Sequence, residues 1–150
     1  MAAITIPQEG ERFLGERPQI VKVAKVSIGV AASNDVVFDA IESLAVFSIK
    51  ANTLILEVSA YTPTAWTATD TLDVGDGTAA AGFLASAKVA PTVAQTNGVL
   101  KRSTLPTAEA YAGGKFYAVA DTIDVAIGVA TPVVGQTDIY ISYIDNIVPL

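Results

Sequence analysis

The chain has 150 residues, of which 51% are hydrophobic and only 16% charged, and its net charge is −6. One domain of this length buries about 68–70% of the surface that its unfolded chain exposes, enough for a core. There is no Cys and no His, which excludes disulfides, thiolate metal sites, cysteine nucleophiles and the usual histidine-based triads and zinc sites.

A typical charged share is about 25%, so this chain has too little charge to cover the whole exterior of a monomer. Part of its surface is expected to lie in permanent contact with another chain. No Lys or Arg lies between Ala51 and Ala87 or after Lys115. Without clustered cations, neither nucleic acid nor an anionic membrane surface is an expected partner. No run approaches the ~20 apolar residues that span a bilayer. The opening Met-Ala-Ala-Ile-Thr-Ile-Pro lacks the basic start and apolar centre of a secretory signal.

Residues 1–19 read as an extended arm, ahead of a domain over 20–150. Pro7, Gly10, Gly15 and Pro18 interrupt every candidate element there. Ile4, Ile6, Phe13 and Leu14 are apolar enough to dock on something. A frayed terminus is one reading. An arm laid on a neighbouring subunit, adding a strand to its sheet edge, is the other.

Ile20 to Val30 alternates as a strand, with Lys22 and Lys25 placed to guard an edge. Val36 to Ile49 divides into two short strands broken near Glu42-Ser43, because β-branched pairs outweigh a helical spacing of Phe38, Ile41 and Leu44. Thr53 to Tyr61 has a period of two. Leu54, Leu56, Val58 and Ala60 face one way, Ile55, Glu57, Ser59 and Tyr61 the other, and Pro63 ends the run. Thr71 to Val74 is a short strand before the Gly75-Asp76-Gly77 turn. Ala79 to Ala87 is one helical turn or a short strand around Phe83-Leu84, and Val99-Leu100 starts a short strand or crossing segment. Lys115 to Val119, Thr122 to Val129 and Gln136 to Ile144 complete the strands, and two apolar faces make the last one central or covered by a partner. Eight or nine short strands separated by Gly, Pro, Asn and Asp turns argue for an all-β fold, an antiparallel β-sandwich or jelly roll.

Asp70, Asp73 and Asp76 lie three apart beside Gly75 and Gly77. Carboxylates at a glycine turn can hold Ca²⁺, but Asp70 and Asp73 have opposite parity in a strand and no bidentate Glu follows at loop spacing. The competing reading is a turn in which Asp-Gly supplies positive φ. Nothing assembles a nucleophile, a base and an orienting group, so no enzyme and no cofactor is expected. Trp66 reads as core, since a lone Trp in a sandwich is usually buried. Tyr61, Trp66, Tyr111 and Tyr117 would have to lie exposed and coplanar to bind a sugar.

The alternating strand ending at Tyr61, then Thr71-Leu72-Asp73-Val74-Gly75-Asp76-Gly77, then Ala79-Ala80-Ala81-Gly82-Phe83-Leu84, resembles a passage in small tailed-bacteriophage virion proteins. Gly135-Gln136-Thr137-Asp138-Ile139-Tyr140-Ile141-Ser142-Tyr143-Ile144 is similar to their closing strand. The resemblance spans roughly residues 20–145 and points to capsid decoration, or cement, proteins of the β-sandwich type. It implies a subunit on the outer surface of the virion, bound to the major capsid protein and to copies of itself as a homotrimer. It implies no cofactor and no catalysis. On that reading Ile4, Ile6, Phe13 and Leu14 are the docking residues. The rival readings are another virion part, such as a head-fibre base or tail protein, and a carbohydrate-binding β-sandwich module.

Overall fold

The computed structural model describes residues 20–67, 70–95, 100–103 and 109–147. The expected arm, with Ile4, Ile6, Phe13 and Leu14, lies outside them. Nine strands and one short helix occur among the described residues: β1 (Lys22–Gly29), β2 (Val36–Val37), β3 (Glu42–Ile49), β4 (Thr53–Thr64), β5 (Thr71–Gly75), α1 (Ser86–Val89), β6 (Lys101–Arg102), β7 (Lys115–Tyr117), β8 (Asp121–Gly128) and β9 (Gln136–Ile144).

They form two sheets. The larger has the order β2-β1-β9-β4-β6, with β7 also pairing β4; the smaller has the order β3-β8-β5. All pairings are antiparallel except β1 with β2. The expected β-sandwich is what the chain builds. β9 is central, between β1 and β4; Ile139 and Ile141 on its inner face are wholly buried, while Tyr140, Ser142 and Ile144 on the other face are half-buried.

The period of two sets which side chains meet. In the larger sheet Val26 and Ala60 flank Ile139, and Ala24 and Val58 flank Ile141. In the smaller sheet Leu44 and Val74 flank Val125, while Leu72 lies beside Ile127. Ile139, Ile141, Val125 and Leu72 are wholly buried. Phe47 of β3 and Tyr143 of β9 bring their rings within 5.3 Å, so side chains from the two inner faces interdigitate. The outer edge of β5 is closed, because Val74 and Leu84 exchange backbone hydrogen bonds and Ser86 Oγ accepts from Leu72 N.

Several expected boundaries move, for physical reasons. β4 does not keep one parity. A bulge between Ile55 and Glu57 turns Ile55 inward along with Val58 and Ala60, leaving Leu54 and Leu56 half-buried. β4 also continues through Pro63 to Thr64, since the proline falls in a second register shift where no ladder donor is needed. The break in 36–49 lies at 38–41, not at Glu42-Ser43. Phe38 leaves the strand to enter the core, donating its N–H to Gly29 O. Residues 79–87 give only the single bridge at Leu84 and the first residues of α1.

Trp66, 2% exposed, closes one end of the sandwich, as expected for a core residue. Its indole N–H donates to Thr137 Oγ1 at 2.9 Å, its backbone N–H donates to Pro91 O, and Phe38 meets its ring edge-on. Gly135 lies directly against the indole at φ 145, where an added Cβ would come within 2.3 Å of Trp66. Gly135→Ala is therefore expected to lower the unfolding free energy by about 2–3 kcal/mol, by overpacking and backbone strain together. Urea denaturation followed by Trp66 fluorescence measures it.

Candidate functional site

The structure sends the three aspartates in three directions. Asp73, on the outer face of β5, accepts from Ser86 N at 2.6 Å. The residue that caps α1, Ala85, supplies no side-chain bond, so this carboxylate satisfies an N–H at the start of the helix. Asp70 is buried at the other end of β5, and neither of its oxygens has a hydrogen-bond partner among the described residues. Asp76 enters a third environment. No group of three or more acidic side chains among the described residues is placed to hold a metal ion.

Asp76 is the most heavily bonded carboxylate of the three. Oδ1 accepts from the N–H groups of Thr78 and Ala79, both at 2.9 Å, and from Tyr111 OH at 3.2 Å. Oδ2 accepts from Tyr117 OH at 2.7 Å and from the Lys115 ammonium. Lys115 also donates to Tyr111 OH and lies over both rings, 4.1 Å from the centroid of Tyr111 and 4.6 Å from that of Tyr117. Asp76 follows β5 of the smaller sheet, and Lys115 and Tyr117 belong to β7 of the larger one. The cluster thus ties the two sheets together.

Burial opposes ionisation of Asp76, but the bonds from Lys115, Tyr117, Ala79 and Thr78 outweigh it and hold the carboxyl far below the usual range. Burial also works against the charge on Lys115; its bonds to Asp76 and Tyr111 prevail and raise its pKa. Burial, followed by the bond to Asp76, pushes the Tyr117 hydroxyl well above its ordinary value. These shifts fix Asp76 and Lys115 as an ion pair and keep the Tyr117 hydroxyl protonated.

The expected role for Asp-Gly at this turn was positive φ, and the backbone does something else. Among the described glycines, positive φ occurs at Gly114 and Gly135 and not at Gly75 or Gly77. Gly75 is needed because an added Cβ would sit 1.9 Å from Ala79 O. Asp76 closes the turn through its side chain, as an Asx turn does.

The aromatics do not assemble a sugar platform. Trp66 and Tyr117 are buried, Tyr111 meets Phe83 edge-on at 5.1 Å, and Tyr61 is only half-exposed. A depression of about 330 Å³ lies beside the cluster, walled by Ala79, Ala81, Gly82, Ala85 and Ala110 with the Glu109 carboxylate. Among the described residues β2 pairs only Ile28 and Gly29 of β1, so Lys22 and Lys25 lie on the β1 edge, as expected. Their ammonium groups turn to Asp145 at 2.7 Å and Asp138 at 2.9 Å.

Large apolar side chains also stand exposed among the described residues. Val93, Val119, Val129 and Val133 are each more than half exposed, as are Ile20, Val21, Val23 and Ile41. Two features escape a reading of the sequence. Lys115 and Tyr117 share a strand face, a signal present in the alternation, but their acceptor lies about forty residues away. Pro132-Val133-Val134-Gly135 puts valines where a solvent-facing turn would use polar residues.

Removing one partner of a buried ion pair strands the other. Asp76→Asn is expected to cost about 3–5 kcal/mol in chemical denaturation, whereas Asp70→Asn is expected to be near neutral, because the Asp70 side chain has no hydrogen bond among the described residues to lose. The pH dependence follows from the depressed folded pKa of Asp76. Its contribution is fully present above the ordinary carboxylate range and is lost as pH falls below about 4. Thermal unfolding of the wild type is expected to weaken over that window, with a shallower decline in Asp76→Asn.

No protein-family model matches this sequence, and no curated protein sequence matches it. Solved structures do resemble it. A chain of the cyanophage Pam1 capsid asymmetric unit superposes with a TM-score of 0.57 at 19% identity, covering 97% of this chain and 100% of that one. A chain of the acidic stable capsid structure of Helicobacter pylori bacteriophage KHP30 gives 0.56 at 12% identity, covering 83% and 87% respectively. The β-sandwich described above is thus a fold that this chain shares with protein chains of two bacteriophage capsid structures.

Proposed function

We propose that the chain is a structural protein of a bacteriophage virion, a decoration subunit seated on the outside of the head. The observation that carries this reading is the likeness, along nearly the whole chain, to a protein of a capsid asymmetric unit. The chemistry of the molecule supports it. The most heavily bonded carboxylate holds its two sheets together, and apolar side chains stand on its surface.

The mechanism is mechanical. A subunit that binds the assembled shell, and not its separated parts, adds its binding free energy to the stability of the shell by mass action. Association of the chain as a homotrimer multiplies weak contacts into avidity. The arm of residues 1–19 supplies further contacts through Ile4, Ile6, Phe13 and Leu14, pairing its backbone with an exposed sheet edge. Fully extended, 19 residues reach about 60–70 Å, roughly twice the ~30 Å length of a nine-residue strand. The arm can therefore reach the shell or a neighbouring subunit from either end of the sandwich.

Deleting residues 1–19 is expected to leave a folded oligomer with an unchanged melting temperature that no longer binds heads lacking the protein. Co-sedimentation with such heads measures this, and occupancy equal to that of the full chain would show that the arm is not the docking element.

A further inference from the structure

The two ends of the sandwich differ in chemistry. One is closed by the Asp76 cluster, beside which Phe116 of β7 and Val119 after it are also exposed. The other is built from four loops around Trp66: residues 30–35 after β1, 65–67 after β4, 90–95 after α1 and 129–135 between β8 and β9. Named bonds stitch them together. Val30 N donates to Gly135 O at 3.2 Å, Trp66 N to Pro91 O at 2.9 Å, and Val133 N to Thr67 Oγ1 at 3.2 Å.

These loops present valines outward. Val133 is 74% exposed and Val129 68%, Val93 and Val134 are exposed as well, and Val37 of β2 stands exposed beside them. Val129 has φ 78, a left-handed conformation that is a true outlier for a β-branched residue. Solvent-facing turns put Gly, Asn or Asp at such a position. Here an apolar side chain is held outward against backbone strain, on a tip fixed by the packing of Gly135 against Trp66. Strain of this kind persists only where surrounding structure enforces it, and it concentrates at functional sites.

The loops at this end carry only acidic charge. Residues 30–41, 65–67, 90–95 and 129–135 contain no Lys or Arg, while Asp35 and Asp39 are exposed there. Asp35 accepts from Ser27 N at 2.7 Å and lies within electrostatic reach of Lys25 on β1, and Asp39 has no ion pair among the described residues. Two or three copies meeting end to end about a rotation axis would bring these carboxylates together with no cation among the loops to offset them. The complementary surface is apolar depressions bordered by Lys or Arg.

We propose that the Trp66 end is the docking end, with the valine tip of the β8–β9 loop inserting into a cation-bordered apolar depression of another protein, the shell on which the subunit sits. This rests on the proposed decoration role and adds to it which end of the molecule makes contact, and through what chemistry. A rigid tip loses little conformational freedom on binding, and the acidic border gives orientation and salt sensitivity.

The test uses the full chain and purified heads that lack it. Val133→Ser with Val134→Ser is expected to reduce occupancy at a fixed concentration at least ten-fold, with circular dichroism and melting temperature unchanged. Asp39→Lys, an independent exposed variant, is expected to weaken binding and to flatten its dependence on salt. Wild-type occupancy by the double valine variant, or tighter binding by Asp39→Lys, overturns the inference and leaves the decoration role standing. If the valine variant decorates heads but loses self-association in sedimentation velocity, the tip joins copies of this chain and the inference fails. If the wild-type chain does not co-sediment with heads at all, the decoration role and this inference fail together.

Discussion

A single buried carboxylate carries an unusual share of the architecture. Each sheet of the sandwich has its own ladder of backbone bonds, and between sheets side chains supply most of the contact. At one end the link is polar, with Asp76 after β5 gripping Lys115 and Tyr117 on β7. Both hydroxyls and the ammonium serve one carboxylate, and two backbone N–H groups complete its bonding. Such a pair is favourable inside a protein only when every remaining donor and acceptor is satisfied, and here they are. Asp70, only six residues earlier, is the counterexample: buried, with neither oxygen bonded among the described residues.

The opposite end is held by different means. Trp66, Phe38 and Gly135 pack there, and Thr137 accepts the indole N–H while bonding Thr62. That hydrogen-bonded plug lets the loops around it remain short and apolar. A chain with a charged share as low as 16% has to put its apolar surface somewhere. It concentrates part of it at the loop tips, where another protein can cover it. The proposed decoration role and the geometry of the valine tip meet at this point, because a subunit that stabilises a shell needs a rigid, preformed contact and no chemistry.

Much of the fold is legible in the sequence. Period-two alternation locates β1, β5, β8 and β9; the two apolar faces of 139–144 leave β9 either central or covered by a partner, and the fold makes it central. The failures are specific. A bulge at 55–57 reverses the parity of β4 without any Gly or Pro to announce it. Pro63 reads as a terminator, yet a second register shift accommodates it. Gly75 and Gly77 suggest a positive-φ turn, while the actual need at Gly75 is close backbone approach. The partnership of Asp76 with Lys115 is invisible in one dimension, because it depends on two strands in different sheets ending at the same place. The strain at Val129 is likewise a property of the folded loop, not of its letters.

The most direct measurement is an electron cryomicroscopy reconstruction of heads carrying this protein. The account predicts the sandwich on the outer surface, with the β8–β9 tip and Trp66 end against the shell and the Asp76 end pointing away. Density inside the head, in the tail, or with the Asp76 end against the shell would contradict it.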